Sequence, residues 1–212
     1  MSDIAKRRAL ILIDVQNDYF GDLLPIAYPP RDQSFANILR AGRAAAQSGI
    51  DIVAVRHEAP AGAPVFQRDA PGWRLHDEVA ALPLAAIIDK TLASALSKTP
   101  LEDVLRTRGI GTLTLAGYMT QNCVESTARA AAHLDFTVEV LADACGAVAY
   151  ENAAGFADAR TVHETSCIVL QSNFAAVMTT EAWLDALAGR AEPVRDNLLA
   201  SAARGRARAA AA

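Results

Sequence analysis

Three residues of this chain are of the types that act together in nucleophilic catalysis. Asp14 and Lys90 each end an apolar run, and Cys123 lies just beyond a third such run. A carboxylate, an ammonium group and a thiol supply a proton shuttle, a positive charge and a nucleophile. Because a buried ammonium group is costly unless it is paired, we expect Lys90 to point into a crevice that it shares with the other two. The alternative for Asp14 is a turn-forming residue, since Gln-Asn-Asp follows closely.

Cys123 lies in the most informative segment, GTLTLAGYMTQNCVESTARAAA, from 111 to 132. Its alternating Thr and Leu predict a short strand, and the spacing of Asn122 and Glu125 is that of an Asn variant of the capping box. Cys123 would then lie in the first turn of a helix, where free N–H groups and the helix dipole favour a thiolate and can stabilise an oxyanion. The alternative is that Cys123 packs under the sheet, as buried cysteines often do.

Apolar strand-like runs alternate with helical patterns along the whole chain. We predict strands at 9–15, 50–56, 85–90, 112–117, 136–143 and 173–178, and helices at 33–48, 75–81, 99–109, 123–134, 152–163 and 180–187. This alternation predicts a three-layer α/β/α fold with a six-stranded, mainly parallel sheet, Rossmann-like in architecture. In such sheets ligands bind beyond the carboxyl ends of the strands, where the three candidate residues lie.

The domain is expected to span residues 1–190, followed by an Ala- and Arg-rich tail at 191–212. Pro193 and Gly205 are expected to interrupt any helix in this tail, which would be frayed or in contact with a partner. The predicted second strand delivers His57 to the same edge as Asp14. His57 can serve as a base or orient substrate, but a structural hydrogen-bonding role is the favoured interpretation.

Composition narrows the functional classes. The chain has 212 residues, 52% of them hydrophobic, and a net charge of -4, which fits one domain and gives no basic footprint for nucleic acid. The first apolar run is too short for a signal peptide or a membrane span, so we expect a cytoplasmic protein.

Cys123, Cys145 and Cys167 show no paired spacing for zinc or disulfides. No glycine-rich phosphate loop follows a strand, and we expect no cofactor.

The sequence resembles the isochorismatase-like cysteine hydrolases, which include nicotinamidases, N-carbamoylsarcosine amidases, ureidoacrylate amidohydrolases and biuret hydrolases. The resemblance covers about residues 8–188 and rests on four segments: LILIDVQNDYF (10–20), PVFQRDAPGWRLHDEV (64–79), DKTLASAL (89–96) and GYMTQNCVESTARAAAHLDFTVEVLADA (117–144). The resemblance implies that Asp14, Lys90 and Cys123 form the catalytic triad. It also implies a cis peptide bond between Tyr118 and Met119, and an oxyanion hole built from the backbone N–H groups of Met119 and Cys123.

Two positions depart from the family pattern. Nicotinamidases carry a metal-binding Asp two residues before a histidine, whereas Val55 precedes His57 here, so we expect no metal. Many members have an aromatic residue where this chain has Leu96, which leaves the lining of the pocket open. Side chains on edge loops or beside the nucleophile are expected around a small-molecule substrate: Phe20, Phe66, Trp73, Tyr118 and Gln121.

The resemblance therefore predicts a metal-independent hydrolase of a C–N bond in a small amide, ureide or carbamoyl compound. One alternative is an isochorismatase-type vinyl ether hydrolase, which needs no cysteine; another is a non-catalytic member of the fold. The Ala-rich helix at 123–134 and the apolar content of the chain predict a homo-oligomer, most simply a two-fold dimer.

Overall fold

A computed structural model describes residues 7–211 of the chain. Eight strands are present in this range: β1 (Arg8–Ile13), β2 (Asp51–His57), β3 (Leu84–Lys90), β4 (Thr112–Tyr118), β5 (Thr137–Gly146), β6 (Tyr150–Asn152), β7 (Gly155–Ala157) and β8 (Ala176–Met178). Six of them form one all-parallel sheet in the order β3-β2-β1-β4-β5-β8. The predicted fold class is confirmed.

The described residues also form seven α-helices: α1 (Arg31–Gln47), α2 (Asp77–Ala80), α3 (Leu101–Thr107), α4 (Glu125–His133), α5 (Ala159–Asn173), α6 (Thr180–Leu187) and α7 (Leu198–Ala210). The central strand β1 is buried on both faces because its sequence, RALILI, is apolar at nearly every position. Ile11 and Ile13 pack on the side of α3 and α4, whereas Leu10 and Leu12 pack on the side of α1 and α6. Two apolar layers therefore hold the strand ends in fixed positions.

The predicted helix at 152–163 is wrong. Residues 150–157 form a small antiparallel hairpin of β6 and β7, and α5 begins only at Ala159. The Asn152 side chain accepts a hydrogen bond from the Ala154 N–H, and Gly155 has a φ of 138°. Such a local Asn turn and a left-handed glycine favour a reversal of the chain over a helix. Asp158 then caps α5 by accepting from the Thr161 N–H.

The tail also differs from expectation, because Gly205 lies inside helix α7 and does not interrupt it. Asn197 caps this helix by accepting a hydrogen bond from the Ala200 N–H, which fixes its start beyond Pro193. Apart from a few contacts with α5, α7 is exposed along its length and buries none of its residues. Within residues 7–211, every helix is too short or too polar to cross a lipid bilayer.

Candidate active site

The carboxyl ends of four neighbouring strands bring Asp14, Lys90 and Cys123 into one cluster. Asp14 follows β1, Lys90 is the last residue of β3, and Cys123 lies in a turn after β4. Strand β2 separates β3 from β1, so the Lys90 ammonium group reaches its partners across the end of β2. A long flexible side chain is suited to that distance, and His57 occupies the gap.

Lys90 is the centre of the cluster. Its Nζ lies 2.7 Å from Asp14 Oδ2 and 3.2 Å from Cys123 Sγ, to which it donates. Nζ also lies 3.1 Å from His57 Nδ1. The Asp14 and Lys90 side chains are fully buried and Cys123 is only 4% exposed. Base, cation and thiol thus meet in a site from which bulk water is largely excluded, where electrostatic interactions are stronger.

Burial controls the protonation of the cluster. It raises the pKa of Asp14 above the usual carboxyl value, against the opposing pull of Lys90. It also raises the pKa of Cys123 to about 12, and the neighbouring Asp14 carboxylate adds to the shift more than Lys90 offsets it. Burial therefore opposes the thiolate expected from the sequence and favours the protonated thiol. A carboxylate of raised pKa beside that thiol is suited to accept its proton during attack.

His57 is a neutral hydrogen-bonding partner of Lys90. Burial, and then the Lys90 charge, lowers the pKa of His57 to about 4. Its Nδ1 therefore accepts from the ammonium group, and the ring packs edge-on against Phe66 with centroids 5.6 Å apart. The apolar Val55 side chain cannot bind a metal ion, so the Asp and His ligand pair of the nicotinamidases is incomplete beside His57. Within residues 7–211, no three side chains of the His, Cys, Asp or Glu types are grouped to hold a metal ion.

Gln16 is a positioning residue that the sequence analysis does not single out. Its Nε2 donates to the carbonyl oxygens of His57 (2.9 Å) and Trp73 (2.7 Å), and its Oε1 accepts from the His57 N–H at 2.8 Å. The side chain is fully buried. It thereby ties the segment after β1 to the end of β2 and to the loop that contains Trp73.

Residues Thr120–Val124, here called the nucleophile turn, form one π-helical turn that leads into α4. The predicted capping box is wrong, because the turn follows Met119 and no side chain caps it or α4. The Met119 carbonyl accepts from the N–H groups of Asn122 and Val124, and the Tyr118–Met119 peptide bond is cis. Single π-helical turns are frequent at functional sites, and this one places the Cys123 thiol against Lys90.

The five side chains expected around the substrate fall into two groups, and two of them lie near the cluster. Phe66 lies beside His57, and Gln121 donates to Tyr150 Oη at 2.9 Å next to Met119. The other three make packing contacts within the protein. Tyr118 is fully buried, with its hydroxyl 3.0 Å from Ser34 Oγ in α1. Phe20 stacks with Phe35 and His76, and Trp73 lies under the Arg56 guanidinium group.

Two tyrosines near the cluster were not predicted. The Tyr19 ring is buried 5.1 Å from Phe66 between centroids, and burial together with Asp14 and Cys123 raises its pKa well above the usual value. Tyr19 lies only five residues after Asp14, which is a sequence signal that it is close to the cluster. The residue predicted from the sequence is its more exposed neighbour Phe20 instead. Tyr150 begins the hairpin at 150–157, where the sequence predicts a helix from 152 onward, so its approach to Gln121 could not be foreseen.

A cavity of about 650 Å³ opens beside the cluster. Its lining consists of His57, Glu58, Ala59, Pro60, Ala61, Gln67, Arg68, Asp69 and Thr91. His57 belongs to both the cavity and the catalytic cluster, and Thr91 directly follows Lys90. This volume is in the range of small-molecule pockets. The cavity is therefore a candidate entrance for a small substrate with polar groups.

The chain matches the isochorismatase domain model over residues 8–182. A solved structure from Burkholderia xenovorans LB400, provisionally described as an isochorismatase, is 47% identical with a TM-score of 0.93, covering 96% of this chain and 98% of that one. The uncharacterized isochorismatase family protein YddQ of Bacillus subtilis is 28% identical, over 83% of this chain and 98% of YddQ.

A third relative carries a named activity. The ureidoacrylate amidohydrolase RutB of Pseudomonas syringae is 30% identical over 169 residues, 64% of this chain and 69% of RutB. The family model spans the strands that carry Asp14, Lys90 and Cys123, and the high structural similarity extends over nearly all of the chain. This chain belongs to the isochorismatase family of hydrolases.

Proposed function

We propose that this protein is a cysteine-dependent hydrolase that cleaves a C–N bond in a small amide, ureide or carbamoyl compound. The observation that carries the proposal is the buried cluster in which Lys90 Nζ lies 2.7 Å from Asp14 and 3.2 Å from Cys123. A nucleophile, a proton acceptor and a cation within one hydrogen-bonded group are the components of acyl transfer. The named activity of RutB, an amidohydrolase, supports the same reaction class.

The first half of the reaction forms an acyl-enzyme. Cys123 Sγ attacks the substrate carbonyl carbon while its proton moves to Asp14, so no free thiolate has to form beforehand. The backbone N–H groups of Met119 and Cys123 would stabilise the oxyanion. When the C–N bond breaks, the leaving nitrogen takes the proton from Asp14. The amine departs and a thioester on Cys123 remains.

The second half of the reaction releases the acid. Asp14, again ionised, accepts a proton from a water molecule as the water oxygen attacks the thioester carbonyl. Collapse of that intermediate breaks the C–S bond, and the sulfur regains a proton from Asp14. Lys90 compensates the Asp14 charge whenever Asp14 is ionised, because the two groups form an ion pair from which water is excluded.

A panel of small amides, ureides and carbamoyl compounds, read by ammonia or amine release, tests the proposal. Cys123→Ala and Asp14→Asn should each abolish turnover, since one removes the nucleophile and the other the proton acceptor. Full activity in either variant would exclude the mechanism. Hydrolysis of a vinyl ether that survives Cys123→Ser would instead identify the isochorismatase-type reaction, which needs no thiol.

Assembly into a homo-oligomer stays a prediction, but the apolar surface available for it differs from the one expected from the sequence. Ala128 and Ala131 of α4 are buried in the core and so cannot form an intersubunit face. Several large exposed apolar side chains lie on α5 and near the C-terminus instead: Ile168, Val194, Leu198 and Leu199. Light scattering decides the matter, since a mass near 22.4 kDa would indicate a monomer.

A further inference from the structure

The nucleophile turn is tied to helix α5 by a buried hydrogen bond. Thr120 Oγ1 lies 2.8 Å from Nδ1 of His163, which is on α5. Thr120 is fully buried and His163 is 4% exposed. Thr120 directly follows Met119 and precedes Cys123 by three residues. The bond therefore acts at the residue between the proposed oxyanion donor and the nucleophile.

Other hydrogen bonds join the turn to the neighbouring helix α4. The Thr120 carbonyl accepts from the Glu125 N–H, the first residue of α4. At the other end of the turn, the Cys123 carbonyl accepts from Thr127 Oγ1 at 2.7 Å. These bonds maintain the shape of the turn and its junction with α4. The bond to His163 joins the start of the turn to a different helix, and so it can fix where the turn sits.

His163 is itself held in place. Its ring packs edge-on against Tyr28, with centroids 5.6 Å apart. Its second ring nitrogen, Nε2, lies 3.7 Å from Cys167 Sγ, one helical turn along α5. The residue forms part of the wall of a second cavity of about 380 Å³, together with Tyr28 and Cys167. An imidazole packed between these groups has little freedom to move, so it is a rigid support for Thr120.

We propose that His163 is a positioning residue for the nucleophile. By holding the Thr120 hydroxyl, it sets the position of Cys123 Sγ and of the Met119 N–H relative to Asp14. This inference rests on the proposed function, in which those atoms must align with one carbonyl carbon. A misplacement of about 1 Å at such a site can lower turnover by as much as roughly 100-fold. His163 acts only through Thr120 and does not contact the substrate.

Two variants remove the bond from opposite sides. Thr120→Val deletes the hydroxyl with little change of volume, and His163→Leu deletes the ring nitrogen. Each should lower kcat by about tenfold or more while KM stays within about twofold, the signature of lost transition-state geometry. His163→Asn should restore most of kcat, because an Asn amide offers a donor and an acceptor near the place of Nδ1. The double variant should be no worse than the poorer single variant.

Ser166→Ala is the matched control. Ser166 Oγ, also on α5, donates to Glu125 Oε2 at 3.3 Å, so this change removes a side-chain bond between α5 and α4 in which no residue of the turn itself takes part. It should leave kcat within twofold of the wild type, on the same rough scale of geometric sensitivity. If Thr120→Val or His163→Leu retains the kcat of the wild type, or Ser166→Ala loses as much as they do, the positioning role is overturned.

Alkylation of Cys123 by iodoacetamide, measured by peptide mass, separates failure of this inference from failure of the proposed function. The labelling rate requires no substrate, and it should change in Thr120→Val but not in Ser166→Ala. An altered rate supports positioning even if no amide is hydrolysed by the wild type. Equal rates in all three proteins, each with unchanged thermal melting, would refute the positioning role whatever the reaction is.

Discussion

Replacing Lys90 with Met tests the electrostatic design of the site. Methionine is close to lysine in size but has no charge, so the packing of the buried stem is retained. The variant loses the ion pair at 2.7 Å to Asp14 and the contacts at 3.2 Å to Cys123 and 3.1 Å to His57. We expect turnover to be abolished, because the pKa of Asp14, already raised by burial, rises further without its cation.

The free energy of unfolding should change in a pH-dependent way. Removing one partner of a buried ion pair costs about 3–5 kcal/mol, since it leaves an unpaired buried charge. For a chain of this length that lowers Tm by about 10 °C. The folded-state pKa of Asp14 lies above its unfolded value, so folded protein retains a proton that unfolded protein has released. The free energy of unfolding therefore falls as pH rises from the unfolded-state pKa of Asp14 to its folded-state pKa. Lys90→Met raises the folded-state pKa and so widens this pH range.

Urea unfolding of Lys90→Met and the wild type at several pH values between 4 and 8 measures this effect. The difference in unfolding free energy between the two proteins should widen as pH rises, because only the variant must bury an unpaired carboxylate. The control is the double variant Asp14→Asn/Lys90→Met, which removes both charges and should regain most of the lost stability. A difference that is constant with pH, or a double variant as unstable as Lys90→Met, would refute the reasoning.

Two further changes probe how the strand ends are held. Gly117→Ala should destabilise by more than about 3 kcal/mol in urea unfolding, because φ is 118° and a β-carbon would lie 2.1 Å from a backbone oxygen of β1. Gly62→Ala, with φ at 87° and open space around it, should cost only about 1–2 kcal/mol; equal losses would contradict the steric argument. Gln16→Leu leaves polar backbone groups of His57 and Trp73 unpaired, at about 1–3 kcal/mol each, so thermal melting and turnover should both decrease. Melting like that of the wild type would argue against the role given to Gln16.

The meeting of Asp14, Lys90 and Cys123 could be predicted because each follows from a local pattern. Every one ends or follows an apolar run, and parallel strands bring their carboxyl ends to one edge. Their protonation could not be predicted in the same way. The position of Cys123 near a helix start favours a thiolate, but burial and the Asp14 charge oppose it, and burial depends on the complete fold.

Contacts between residues distant in sequence were also beyond prediction. Gln16 bonds to His57 and Trp73 across 41 and 57 positions, and Thr120 bonds to His163 across 43. Isolated polar residues in a sequence give no signal of such pairs. The error at 152–163 has a local cause. The Asn152 turn and the left-handed Gly155 reverse the chain there, although the sequence predicts a helix.

The most direct test of the acyl-enzyme is the mass of the Cys123 peptide during turnover. A reaction with any amide that the panel identifies is quenched with acid, digested and analysed by mass spectrometry. We predict a mass increase equal to the substrate's acyl group on the peptide that contains Cys123, and neither adduct nor turnover in Cys123→Ala. An unmodified Cys123 peptide together with undiminished turnover by Cys123→Ala would contradict the proposed mechanism.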